Sequence, residues 1–263
     1  MTIDTEMSTR AWVEHIMGIP VSVHVRAGDL DRTDISVGVQ AVFEELDRAD
    51  TVFSTWRADS ELMRWRRGDL ALRDAHPTMR TVMDLCDAAT SATGGLFTTN
   101  LVGPDGGAGW DPTGLVKGWA VGEAAKNLRT LEHSQFSINA GGDIVCGRGT
   151  DSADLTSPWN IGIEDPTNRS RIAHVIPVVE GALATSSSAA RGAHIIDPRT
   201  GIGVVHPRST TVTGPDLVWA DVWATAAFID ATALEGRREW ESYRLRILGA
   251  RAGDFQGTND PVE

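Results

Sequence analysis

The stretch from Trp110 to Gly149 constrains this chain more than any other part of it. It opens with a Pro/Gly turn that begins at Asp111, continues in a helical pattern of apolar residues, and ends in a short apolar strand followed by Asn-Ala-Gly-Gly and Asp143. Glycine tolerates positive φ and lets a ligand approach the backbone closely. Each piece alone is more often an ordinary turn. Together, two glycine turns joined by one helix that carries Lys117 near its start predict a pocket for a phosphorylated ligand.

The remaining pattern predicts an α+β fold, with mixed or antiparallel sheets and helices packed on them in two intimately joined lobes, because strands and helices do not alternate strictly. We expect one domain over residues 11–250, flexible tails at 1–10 and 251–263, and a glycine-rich loop from Leu96 to Gly109. Further helices are predicted at 34–51, from 60, from 77 to the glycines at 94–95, and at 219–230; strands are predicted at 21–25, 136–138, 159–163, 173–179, from 194, 210–213 and 244–248.

Composition excludes several classes of function. The 263 residues carry a net charge of −12 and no basic run, so nucleic acid is not expected as a partner. An anionic ligand would need a local cationic group or a metal ion to offset this charge. No run reaches the roughly 18 apolar residues of a membrane span, and the N-terminus shows no export signal, so we expect a cytoplasmic protein without membrane insertion. Cys86 and Cys146 are expected to be buried structural thiols.

A second group of candidate residues lies near the C-terminus. Asp221 and Thr225 are four residues apart and therefore share one face of the helix predicted there. A carboxylate and a hydroxyl so placed offer hard oxygens to Mg²⁺, which usually takes one or two protein carboxylates. The alternative is a surface aspartate near a helix start, favourable with the helix dipole. His194, before Ile-Ile-Asp-Pro, is either a polar strand residue or a ligand contact.

Short motifs in order from about Met17 to Asp230 resemble those of the ApbE family of FAD:protein FMN transferases. One departure is Leu96-Phe97-Thr98, which stands where the family commonly has Ala-Phe-Asp. The matching motifs are MG at 17–18, FSTWR at 53–57 with SEL at 60–62, DPTGLVKGWA at 111–120, NAGGD at 139–143, WNIGIEDP at 159–166, ATS at 184–186, HIIDP at 194–198 and ADVWAT at 220–225.

The resemblance implies an ApbE-like, T-fold-like architecture and an enzyme that transfers FMN from FAD to a Ser or Thr hydroxyl of an acceptor protein, with Mg²⁺ as cofactor and AMP as the leaving group. It implies catalytic roles for His194 and Asp221, and stacking of Trp56 on the flavin. The implied metal ligands are the Gly114 carbonyl, Asp221 and Thr225. The implied FAD contacts are Met17, Trp56, Leu96, Phe97, Thr98, Asp111, Lys117, Asp143, Thr185 and His194.

Two alternatives to a transferase stay open at this point. One is an FAD-binding or carrier protein without transferase activity, although binding alone does not need a metal at the reacting phosphate. The other is an FAD pyrophosphatase that gives FMN and AMP, with water as the acceptor. The segment 87–93, DAATSAT, also resembles the acceptor motif D-x-x-T-G-A-T of the family. Because it lies on a predicted helix end, we interpret this match as coincidence.

Overall fold

The computed structural model describes residues 7–102, 108–189, 192–235 and 240–249. Within these residues the fold is α+β, as predicted, with five α-helices and thirteen strands. The helices are α1 Thr33–Phe53, α2 Glu61–Arg66, α3 Thr78–Ala92, α4 Thr113–Ala125 and α5 Leu217–Asp230. The strands are β1 Ser8–Ile16, β2 Ile19–Ala27, β3 Asn100–Val102, β4 Ala108–Trp110, β5 Ser134–Ala140, β6 Asp143–Arg148, β7 Trp159–Asp165, β8 Asn168–Val178, β9 Gly181–Ser187, β10 Ile196–Asp197, β11 Ile202–Gly203, β12 Ser209–Gly214 and β13 Arg244–Leu248.

Seven strands form one antiparallel sheet in the order β1-β2-β5-β6-β9-β12-β13. Strands before residue 149 form the first four of this order, and strands after residue 180 form the last three. Strands β6 and β9 join these two groups, with Ile144 opposite Leu183. The pairs β3–β4, β7–β8 and β10–β11 form separate two-stranded sheets. One hydrophobic core extends from Val21 to Tyr243, so the two lobes share both their sheet and their core.

Helix α5 is apolar on nearly every side, and a helix of that kind is buried in the core. It packs on β9 and β12, and α4 packs against both α5 and α1. Trp223, in the middle of α5, is fully buried. Across the described ranges, no helix combines the length and the apolar character needed to cross a membrane.

Two tight hairpin turns lie side by side at one end of the sheet. Met17 and Gly18, both with positive φ, join β1 to β2, and Gly141 and Gly142, also with positive φ, join β5 to β6. The turns are neighbours because β2 pairs with β5, and a Cβ at Gly141 would lie 3.3 Å from Ile19. Glycine is needed where φ is strongly positive, which explains the Gly-Gly pair in the sequence.

The structure differs from two of the expected boundaries. Strand β1 begins at Ser8, inside the segment 1–10 that was expected to be a tail, and it pairs with β2 along its whole length. The expected loop from Leu96 to Gly109 contains β3 and β4, which pair with each other. Strand β1 is mostly exposed, because its pairing with β2 rather than burial of one face defines it. Residues 1–6 and 250–263 of the expected tails, and 103–107 of the expected loop, lie outside the described residues.

Both thiols are buried, as predicted, and burial raises the pKa of Cys86 and of Cys146 to about 11. The acceptor-like segment 87–93 is the end of α3. There Thr93 is fully buried, and its hydroxyl donates to the Ala89 carbonyl at 2.8 Å and accepts from the Phe97 amide at 3.0 Å. The buried Thr93 hydroxyl stabilises the helix end and is not exposed as an acceptor for group transfer.

Candidate functional site

A cavity of about 970 Å³ lies beside the two hairpin turns and is lined by residues from both halves of the chain. Its volume falls within the range usual for small-molecule sites. Twelve of the thirteen site residues predicted from the sequence line it, so positions spread over most of the chain converge on one place. These twelve are Met17, Trp56, Leu96, Phe97, Thr98, Asp111, Gly114, Lys117, Thr185, His194, Asp221 and Thr225.

The start of α4 forms one wall of this cavity. Asp111 precedes the helix, and its carboxylate accepts a hydrogen bond from the Thr113 amide at 3.0 Å. Arg66 stabilises the segment that leads into α4. Its Nε donates to the Trp110 carbonyl at 3.1 Å, and its Nη2 lies 3.9 Å from the Asp111 carboxylate. Gly114, in the first turn, lies on the cavity surface. Arg66 is a supporting residue that the sequence analysis did not identify.

Lys117 lies between two carboxylates from different elements. Its Nζ is in direct ion-pair contact with Asp143 Oδ2 and lies 3.9 Å from Asp221 Oδ2. The side chains of Asp143 and Asp221 are only 3% and 11% exposed, whereas that of Lys117 is 23% exposed and reaches the cavity surface. Asp143 is the predicted site residue that the cavity lining does not include, because it lies behind Lys117 at the start of β6.

Asp221 is a buried residue of α5, so the surface aspartate of the alternative interpretation does not match its position. Asp216 caps the helix instead, and its carboxylate accepts from the Trp219 amide at 3.1 Å. One turn after Asp221, Thr225 lines the cavity with its hydroxyl 3.3 Å from that of Ser186. An exposed carboxylate near a helix start needs no functional explanation, but a buried one on a cavity wall does.

The oxygens at this wall suit a magnesium ion. Over the described ranges, no three His, Cys, Asp or Glu side chains are grouped to hold a metal. Mg²⁺ does not require such a group, since it binds through one or two carboxylates and takes its remaining oxygens from water and phosphate. Asp221, the Thr225 hydroxyl and the Gly114 carbonyl are hard oxygen donors on the same cavity, which is the donor chemistry that Mg²⁺ prefers.

His194 is an exposed residue of the cavity lining, in the connection that leads into β10. It precedes the strand, which is shorter than predicted and covers only Ile196–Asp197. The His194 Nδ1 is 3.1 Å from the Gly192 carbonyl. A carbonyl only accepts, so Nδ1 carries the proton of this hydrogen bond, and the lone pair of the neutral ring is then on Nε2. That arrangement suits a group that receives a proton at Nε2.

The segment after His194 is anchored to the end of α5. Arg199 donates to Asp197 and to Asp230, with both closest contacts at 2.9 Å. Hydrogen bonding to Arg199 lowers the pKa of Asp197, which therefore stays ionised. These ion pairs connect the β10–β11 hairpin to α5, the helix that carries Asp221. They therefore help to fix the segment after His194 relative to Asp221.

The residues for which the resemblance implies flavin contacts differ greatly in exposure. Trp56 is 95% exposed at the cavity rim, whereas Leu96 and Phe97 are buried in the wall. The Thr185 hydroxyl is hydrogen-bonded to the Thr211 hydroxyl on the adjacent strand, at 2.9 Å. No site residue is predicted from the sequence on the β7–β8 ribbon, although the motif at 159–166 lies on it. The ribbon lines the cavity with Ile161, Gly162, Ile163, Glu164, Asp165, Pro166 and Arg169.

Comparisons with known proteins agree with this geometry. A model described as the ApbE family matches residues 17–104 and 100–242. The chain is 29% identical over 123 residues to an FAD:protein FMN transferase of Klebsiella pneumoniae, a match that covers 43% of this chain and 34% of that relative. A protein of the same name from Haemophilus influenzae is 30% identical over 131 residues, covering 45% of this chain and 37% of the relative. The matches thus span about a third of the length of these curated relatives.

Solved structures share the fold. An ApbE protein of Thermotoga maritima superposes with a TM-score of 0.69 at 19% identity, covering 88% of this chain and 89% of that one. The flavin transferase ApbE of Vibrio cholerae gives a TM-score of 0.64 at 20% identity, covering 85% and 87% of the two chains. At these identities the likeness establishes the arrangement of helices and sheets.

Proposed function

This chain belongs to the ApbE family, and from that premise we propose that it transfers FMN from FAD to a Ser or Thr hydroxyl of an acceptor protein in a Mg²⁺-dependent reaction that releases AMP. The observation that carries the proposal is the convergence of Lys117, Asp221, Thr225 and His194 on one cavity. A pocket that only stored FAD would need neither a buried carboxylate beside a lysine nor a proton acceptor in the same cavity.

In the proposed reaction the acceptor hydroxyl oxygen attacks the FMN phosphorus of FAD. The bond from that phosphorus to the bridging oxygen breaks, and AMP leaves with this oxygen. Phosphoryl transfer depends mostly on positioning and on stabilising the charge of the phosphate oxygens. In a chain with a net charge of −12, the diphosphate needs nearby cations, and Lys117 is a cation on the cavity surface. Its compact ammonium group suits a phosphate oxygen.

His194 would take the proton of the acceptor hydroxyl on Nε2. The Gly192 carbonyl holds the ring through Nδ1, so the imidazole is oriented before the substrate arrives. Its exposure on the rim is consistent with a macromolecular acceptor, because a protein hydroxyl has to reach the reacting phosphorus from outside.

The Asp221 carboxylate, the Thr225 hydroxyl and the Gly114 carbonyl would hold Mg²⁺. When bound, the ion would neutralise charge that develops on the diphosphate oxygens. Trp56, exposed in the absence of a ligand, would cover one face of the isoalloxazine, and the buried side chains Leu96 and Phe97 would close the wall. Asp111 would accept hydrogen bonds from FAD at the start of α4.

The test is to incubate the protein with FAD and MgCl₂, with and without a peptide that contains the sequence D-x-x-T-G-A-T. We expect AMP release that depends on the peptide and a peptide mass increased by one FMN unit. FMN and AMP formed equally well without peptide would indicate an FAD pyrophosphatase. Intact FAD under both conditions, bound to the protein, would indicate a carrier and would overturn the transferase proposal.

A further inference from the structure

We propose that Asp143 is a positioning residue: it draws the Lys117 ammonium toward itself and so limits the competition between this ammonium and a divalent cation for the Asp221 carboxylate. The inference rests on the metal site of the proposed function. Lys117 interacts unequally with two carboxylates: its Nζ contacts Asp143 Oδ2 directly but lies 3.9 Å from Asp221 Oδ2. Asp143 is absent from the cavity lining, so its carboxylate acts on the site through Lys117.

Asp143 is the fixed partner in this group. It is the first residue of β6, paired with Ala140 across the Gly141–Gly142 turn, and its side chain is 3% exposed. The turn is itself braced, because the Asn139 side chain accepts from the Gly142 amide at 2.9 Å. Lys117, by contrast, reaches the site on a flexible four-carbon stem from α4. The position of the ammonium group is therefore set by the strand and not by the helix that carries it.

Asp221 is a second carboxylate within ion-pair distance of Lys117. If Asp143 became neutral, the Lys117 ammonium would lose a counter-charge that it contacts directly and would be drawn toward the Asp221 carboxylate. Lys117 would then compete with a metal ion for the same Asp221 oxygens, since both are cations and one carboxylate cannot satisfy both at close range. Asp143 thus limits the competition between two cations that the site needs close together, the Lys117 ammonium and the metal ion.

The experiment measures Mn²⁺ binding to the protein without FAD, by calorimetry or by the electron paramagnetic resonance signal of free Mn²⁺. We compare the wild type with Asp143→Asn, Lys117→Met and the double variant. We expect Asp143→Asn to weaken Mn²⁺ binding about tenfold, which corresponds to the loss of about 1.4 kcal/mol. We expect the double variant to bind Mn²⁺ as well as Lys117→Met does, because without the lysine the identity of residue 143 no longer matters.

Glu164→Gln is the matched control, since it removes an exposed carboxylate from the cavity wall and reports the effect of one lost negative charge. A double variant that binds Mn²⁺ clearly more weakly than Lys117→Met would make Asp143 a ligand and would overturn the inference. This comparison holds even if Asp143→Asn alone fails to fold. Unchanged binding by a folded Asp143→Asn would also overturn it. Absence of Mn²⁺ binding by the wild type would instead refute the metal site of the proposed function.

Discussion

Gly118 of α4 lies directly against Leu217, the first residue of α5. A Cβ built at Gly118 would lie 3.3 Å from the Leu217 carbonyl oxygen and 3.4 Å from the Val218 Cα, both of which are backbone atoms. An alanine Cβ at this position would require the helices to move apart by a few tenths of an ångström. Lys117 is the adjacent residue on α4, and its Nζ lies 3.9 Å from Asp221 Oδ2 on α5, so the same helix pair carries both residues.

We predict that Gly118→Ala lowers both the melting temperature and the rate of AMP release, because α4 and α5 would have to move apart by a few tenths of an ångström. The matched control is Gly122→Ala on the same helix, where a Cβ would meet no atom within 4 Å. Alanine is favoured over glycine in helices by roughly 1 kcal/mol, so the control is expected to melt higher and to keep full activity. Equal melting temperatures for the two variants would contradict the close crossing.

We predict that Asp221→Asn keeps the fold but releases AMP at least about a hundredfold more slowly, since losing metal stabilisation of the phosphate charge costs several kcal/mol and each ~1.4 kcal/mol is tenfold in rate. The fold is expected to survive because Asp143 still pairs with Lys117. Asp216→Asn on the same helix is the control, because asparagine also caps helices and should leave both properties unchanged. Full activity in Asp221→Asn would exclude Asp221 as an essential metal ligand.

We predict that Trp56→Ala leaves the melting temperature unchanged but weakens FAD binding. Trp56 is 95% exposed, so its removal costs the free protein no buried area. Aromatic stacking contributes roughly 0.5–1.5 kcal/mol, which is about a twofold to tenfold change in Kd. The protein has nine tryptophans, and the fraction of their emission that FAD quenches is the measurement. Trp12→Ala, on β1, is the comparison and should keep the quenching; undiminished quenching in Trp56→Ala would refute stacking.

We predict that His24→Gln reduces the loss of stability between pH 7.5 and 5.5. Burial lowers the pKa of His24 below its ordinary value of 6.5, so the unfolded chain binds more protons than the folded one as the pH falls. The contribution of His24 is therefore complete above pH 6.5 and is lost below it.

The measurement is the melting temperature of the wild type and of His24→Gln at each pH, with the exposed His15→Gln as control. Some pH dependence is expected to remain in His24→Gln, because burial, with Arg208 nearby, also lowers the pKa of His206. Parallel curves for the wild type and His24→Gln would show that His24 does not contribute to the acid sensitivity of the fold.

Elements that depend on near neighbours are predictable from the amino-acid sequence alone. The apolar spacing after Asp111 predicts α4, and the Gly-Gly pair before Asp143 predicts the β5–β6 hairpin, because helical faces and positive-φ turns are properties of a few consecutive residues. The spacing of Asp221 and Thr225 likewise determined that both face one side of a helix. Motifs in order along the chain were sufficient to identify the family.

The surroundings of these residues depend on how distant parts of the chain pack together. Strand β9 inserts between β6 and β12, and this pairing across the two halves brings Thr185 and α5 to the cavity. The buried position of Asp221 and the place of Asp143 behind Lys117 depend on that packing, because the burial and pairing of a charge are set by atoms distant in sequence. A local sequence pattern contains no information about the burial or pairing of a charge. It therefore could not distinguish Asp221, which lines the cavity, from Asp143, which pairs with Lys117.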